Sequence, residues 1–159
     1  MSIPEAWTIV CRSLRRLLLL VQGEGAMTYF AELSPYAYWP DADEAVNVGW
    51  LAAGHDHPVG AVPEGLVAAA LRAVGQRPVN RTRGWHRCEL CADPDYPIRM
   101  SIDGRELALG DAEIRVTDRD GTVYAAPSLV AHYIAEHSYR PPDGFIEALL
   151  ENLHLERWA

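Results

Sequence analysis

Lysine is missing from this chain of 159 residues; all 14 of its basic side chains are arginine, against 22 Asp and Glu, for a formal net charge of −8. That balance speaks against a broad grip on nucleic acid, which depends on neutralising many phosphates. Cysteine is scarce: Cys11 stands alone and Cys88 and Cys91 are close together. An odd count without a framework of spacings does not resemble a secreted disulfide scaffold and points to a reducing cytoplasm, where a Cys pair stays available for metal. Long apolar runs are also missing. The stretch Leu17 to Val21 is far below the ~20 residues of a membrane span and below the ~7–15 of a signal-peptide core. Arg12, Arg15 and Arg16 ahead of it only imitate a signal. Internal repeats and low-complexity tracts are absent from the sequence.

What is present is an ordinary globular composition, 49% apolar and 23% charged, in a chain long enough to bury a core without relying on metal alone. Residues 1–26 differ from the rest. Trp7, Val10, Cys11, Leu14, Leu17, Leu18 and Val21 recur at helical spacing, so this part reads as an N-terminal extension forming an amphipathic helix. Gln22 to Ala26 reads as a linker, with Met27 an alternative start. Residues 27–159 are expected to form a single zinc-stabilised α+β domain. Tyr29 to Trp50 is aromatic and turn-rich, with a short strand over Val46–Leu51. Pro63, Glu64 and Gly75 bracket a helix over 64–74 whose apolar stripe is Leu66, Val67, Ala70, Leu71 and Val74.

From Val79 the pattern shortens to strands. Thr82–Arg87 is expected to lead as a strand into the Cys pair. Ile98–Ile102 alternates and ends at Asp103-Gly104, a hairpin-turn dipeptide. Glu113–Thr117 and Thr122–Ala125 flank Asp118–Gly121 as a second hairpin. Pro127 suits the first turn of a helix that runs to about His137, and Pro141-Pro142 precedes a last helix over 144–153.

The chemistry concentrates in Cys88-x2-Cys91 and His132-x4-His137. Thiolate and imidazole are the ligands zinc prefers, and four of them close a tetrahedron. Five residues of helix correspond to about 500° of rotation, leaving the two rings ~140° apart on a regular helix. The helix must therefore loosen or end near His137. The order is zinc-finger-like, with a forty-residue insertion between the pairs. His86 is the rival ligand or a support behind the ligands, because it lies two residues from Cys88 and faces the same way on a strand. A redox Cys pair normally opens a helix, whereas Ala92-Asp93-Pro94-Asp95 reads as loop. A site closed by four protein ligands is structural. His132-x3-Glu136-His137 has one residue too many for an H-x-x-E-H peptidase motif, and the Glu of a zinc deaminase motif is missing upstream of Cys88. His55-Asp56-His57 reads as a solvated loop with a small metal or acid–base cluster as the alternative.

Arg72, Arg77, Arg81, Arg83 and Arg87 occur before any acidic residue until Glu89. Arginine offers a planar fork to oxyanions, so Arg77, Arg81, Arg83 and Arg87 are candidate contacts for phosphate, nucleic acid or an acidic partner. The plainer reading pairs them with the abundant carboxylates.

The segments Tyr29–Tyr36, Asn47–Leu51, Arg83–Cys91, Glu113–Val116, and Tyr124–Pro127 through His132, His137 and Pro141-Pro142 resemble a family of small bacterial proteins, frequent in actinomycetes and classed as a domain of unknown function. The resemblance covers about residues 27–150 and implies no activity. The expectation is an α+β fold: a small antiparallel sheet, a strand–hairpin–helix zinc unit and flanking helices. A cytoplasmic structural-zinc interaction module with a protein partner leads. A nucleic-acid or phosphate-binding zinc module and a zinc hydrolase using His86 and Glu136 are the alternatives.

Overall fold

A computed structural model describes residues 28–39 and 44–152. The expected helix and alternative start within residues 1–27, Cys11 and Leu153 lie outside the described residues. The described elements are β1 (Val46–Asn47), α1 (Leu66–Gln76), β2 (Ile98–Ile102), β3 (Arg105–Leu109), β4 (Glu113–Thr117), β5 (Val123–Pro127), α2 (Val130–Glu136) and α3 (Asp143–Asn152). The class is α+β. None of these helices is long and apolar enough to cross a membrane.

Two local signals in the sequence are realised directly. Asp103 (φ 49°) and Gly104 (φ 75°) both adopt left-handed conformations and close β2 onto β3 in antiparallel register, Ile102 opposite Arg105. That is the twist a two-residue hairpin needs. The second hairpin pairs β4 with β5, Thr117 opposite Val123. Its loop is tied by the Asp118 carboxylate, which accepts the backbone N–H groups of Asp120 and Thr122 at 2.9 Å each.

The sheets differ from a purely antiparallel arrangement. β1 is only two residues long and runs parallel to β5, making a three-stranded order β1-β5-β4 beside the separate β2-β3 pair. Gly49, at φ 69°, turns the chain out of β1. Its missing side chain matters: a Cβ there would lie 3.0 Å from Val130 and 3.2 Å from Tyr139. The indole of Trp50 then donates to the Ala125 carbonyl at 2.9 Å.

The expected strand over Thr82–Arg87 is not formed; this segment is irregular. Its backbone is held at two points only in the manner of a strand, His86 N–H to the Gly110 carbonyl and Thr82 N–H to the Asp111 carbonyl. α1 begins at Leu66 and not at Glu64 because Gly65 has φ 84°, which no helix continues through. At its other end α1 runs through Gly75 to Gln76, since one glycine in a last turn costs only about 1 kcal/mol. Pro127 is the final residue of β5, opposite Glu113, and α2 starts three residues later.

α1 packs against α2, α3, β2 and β4, and α3 against β4. The apolar stripe of α1 contributes Leu66, Ala70, Leu71 and Val74; α2 contributes Val130, Tyr133 and Ile134; α3 contributes Phe145 and Leu149, all buried. The aromatic N-terminal segment joins this core through Phe30 and Tyr36. Tyr36 also donates to both oxygens of the buried Glu113 carboxylate at 2.8 Å, with Asn80 donating at 3.2 Å and Arg115 completing the charge pair.

Candidate metal centre

The site is built on the ending of α2. His132 lies on the buried face of α2; His137 is the residue that caps it, at φ −115° and ψ 13°. The Tyr133 carbonyl accepts N–H bonds from both His137 (3.1 Å) and Tyr139 (3.2 Å), while Ser138 sits between them at φ 52°. Two N–H groups converging on one carbonyl around a left-handed residue end the helix. This ending unwinds the chain at the place where five-residue spacing demanded it, and the two imidazoles meet at a centroid separation of 5.1 Å.

Opposite them lies the Cys88–Cys91 turn. One donor atom from each of Cys88, Cys91, His132 and His137 falls within 4.8 Å of all the others, an arrangement that can hold a metal ion. Cys88 Sγ is 3.3 Å from His137 Nε2, and Cys91 Sγ is 3.3 Å from both His132 Nε2 and His137 Nε2. A nitrogen with one lone pair or one proton cannot serve two sulfurs well as a hydrogen-bond partner, so the convergence is better explained by a shared centre. Arms of about 2.3 Å to sulfur and about 2.0 Å to nitrogen give tetrahedral S···N edges of about 3.5 Å, close to those observed.

The protonation of the donor set follows burial. Desolvation pushes the Cys88 thiol up to about 11, while N–H groups of Leu90 and Cys91 directed at its sulfur oppose that rise. Those N–H contacts are the ones a tight Cys-x2-Cys turn offers to a thiolate. Desolvation holds His132 below its ordinary value, with His137 adding repulsion, and His137 is lowered by desolvation and then by His57. Neutral imidazole is the form that binds metal.

His86 is not among the four convergent donors. Its backbone lies tight against the Gly110 turn: a Cβ on Gly110 (φ 106°) would lie 2.6 Å from the His86 carbonyl oxygen. His55 stacks on Tyr29 with centroids 3.7 Å apart, and His57 sits beside Tyr139 at 6.2 Å. Neither joins a metal-binding group among the described residues. The arginines disperse: Arg72 forks onto Asp103 at 2.7 and 2.9 Å, Arg81 pairs with Asp111 at 2.5 Å, and Arg87 lies 4.3 Å over the Tyr96 ring. Arg77 is also engaged.

Sequence reasoning missed the surroundings of the donors. Cys91, His132 and His137 line a cleft of about 390 Å³ whose other walls include Asp93, Asp95, Ile98, Arg99 and Glu136. Only Glu136 carried a signal, through its place in the near-miss peptidase motif. The Glu89 carboxylate, between the cysteines, accepts the Ala53 N–H at 3.1 Å. Tyr133, fully buried, has a hydroxyl without a hydrogen-bond partner.

No curated protein and no solved structure matches the chain significantly. One family, described as a domain of unknown function (DUF7919), matches residues 28–150 and so spans every element described above from β1 to α2 and most of α3. The chain belongs to that family.

Proposed function

We propose that the four donors bind one structural zinc ion and that the protein is a zinc-fastened interaction module, working where thiols stay reduced. The observation that carries this is the convergence of two sulfurs and two Nε2 atoms within 4.8 Å. Two thiolates and two neutral imidazoles give a zinc centre with no net charge, which makes partial burial tolerable. All four positions are filled from protein, which favours fastening over hydrolysis.

What supports a protein partner is the distribution of exposed aromatics. Tyr29 and Trp39 stand out from the N-terminal segment, and Trp85 and Tyr96 flank the Cys turn. Exposed aromatic side chains of this kind anchor protein interfaces. The internal pairing of Arg72 and Arg81 and the stacking of Arg87 weigh against phosphate or nucleic acid as the ligand. Metal analysis of the purified chain tests the reading. One zinc per chain is expected, with Cys88→Ser and His132→Ala each losing it; a Cys88→Ser protein with full zinc and unchanged stability refutes the ligand set.

A further inference from the structure

The two cysteines differ in a way that four equal ligands would not. Cys88 is 1% exposed, so its sulfur is closed to a reagent in solution. Cys91 is half-buried and forms part of the cleft wall with His132 and His137. The cleft is wide enough for a small molecule to reach the Cys91 sulfur, and Cys88 stands directly behind it, within 4.8 Å. The walls are predominantly acidic: Asp93, Asp95 and Glu136 face one guanidinium, Arg99, whose charge is shared with Glu106 at 2.9 Å. Anionic reagents are therefore repelled and neutral ones admitted.

We propose that Cys91 is a modification site, oxidised from the cleft by neutral hydrogen peroxide, with Cys88 as the resolving thiolate. This rests on the reading that the four side chains hold a metal. The Cys91 sulfur attacks one peroxide oxygen; the O–O bond breaks, the sulfur becomes a sulfenic acid and, with one proton taken up, water leaves. Cys88 then attacks the Cys91 sulfur; the S–O bond breaks, the S–S bond forms, and hydroxide leaves to be protonated to a second water. The two sulfurs lose two electrons in all, and the peroxide gains them. The remaining two imidazoles are too few to retain zinc, so the ion leaves as a divalent cation. The Cys88–Cys91 turn is thereby uncoupled from the end of α2. The segment between Thr82 and Pro97 has no helix or strand of its own to hold it there.

The experiment uses the full chain carrying Cys11→Ser, so that every thiol signal comes from the pair. Sub-stoichiometric iodoacetamide followed by peptide mass spectrometry should label Cys91 about tenfold ahead of Cys88. Hydrogen peroxide should then link Cys88 to Cys91 and release one zinc for each peroxide consumed, read with a chromogenic chelator. Oxidised glutathione, which is anionic, should act far more slowly, and Asp93→Asn together with Glu136→Gln should narrow that gap. Equal labelling, labelling of Cys88 first, zinc retained after peroxide is consumed, or a gap unmoved by the charge changes each overturns the proposal. A protein purified without zinc overturns the metal reading itself, a result distinct from zinc present but Cys91 unreactive.

Discussion

Two regions of this molecule are held by different physics. Around α1, β4, β5 and α3 the fastening is apolar: Leu66, Ile114, Ala126, Phe145 and Leu149 are almost fully buried in one cluster drawn from these four elements. The segment from Thr82 to Pro97 has no regular element and contributes one almost fully buried side chain, Cys88. It is attached by two backbone hydrogen bonds to the Gly110–Asp111 turn, by the Glu89–Ala53 contact and by the thiol–imidazole cluster. Where a segment cannot bury apolar area, loop entropy has to be opposed by something stronger per residue, and four side chains placed to hold a metal ion would supply that. The difference teaches that the cluster fastens a part of the fold and is not a substitute for its core.

The largest effect expected is from removing a ligand. Cys88→Ser should abolish metal binding and cost about 5 kcal/mol or more, but hydrogen exchange should rise mainly across 82–97 and the end of α2. Phe145→Ala, in the core, should cost about 3–5 kcal/mol and raise exchange throughout while metal stoichiometry is kept. If both variants loosen the whole chain alike, the two regions are one cooperative unit and the comparison fails.

Gly110 is the joint between the regions. An alanine Cβ there would stand 2.6 Å from the His86 carbonyl oxygen, in a backbone conformation with φ 106°. Gly110→Ala should cost about 2–3 kcal/mol and weaken metal binding without touching a ligand. Metal affinity unchanged in a folded Gly110→Ala protein would show that the Cys turn does not depend on this approach.

How much of this was legible beforehand depends on the range of each interaction. The donor pairs were legible because ligand type and spacing are local, as was the need for α2 to end at His137. The Asp103-Gly104 turn and the β4–β5 hairpin were legible for the same reason, since turn chemistry and alternation act within a few residues. The irregular path of Thr82–Arg87 was not: a strand needs a partner along its length, and here the chain meets its neighbour through the Val79–Glu113 bridge and two further backbone bonds. The parallel pairing of β1 with β5 joins residues far apart in sequence, beyond any local pattern. The cleft was also hidden, because its walls come from the Cys turn, β2 and α2 together.

Acid should separate the regions more gently. His132 and His137 are held below the ordinary value of 6.5, by desolvation first and then by neighbouring imidazole charge. The unfolded chain therefore takes up protons before the folded one as pH falls, so stability is full above about pH 6.5 and declines below it. Protons also compete for the metal in the same direction. Unfolding temperature followed from about pH 8 to about pH 5 should fall in the wild type and fall less in His132→Ala. Parallel curves would show that these two groups do not carry the acid sensitivity.

The smallest effect is expected at the surface. Arg72 forks onto Asp103, joining α1 to the β2–β3 turn, with side chains 30% and 36% exposed. A bidentate pair looks like a fastening, but water and salt screen it, and such pairs are worth about 0.2–1 kcal/mol. Asp103 is also held left-handed by the turn itself, so the hairpin does not need the arginine. Arg72→Ala should lower stability by no more than about 1 kcal/mol, and the loss should shrink in high salt. A larger, salt-insensitive loss would mean that the arginine stem covers core surface between α1 and β2, adding a third kind of fastening between the apolar core and the ligand cluster.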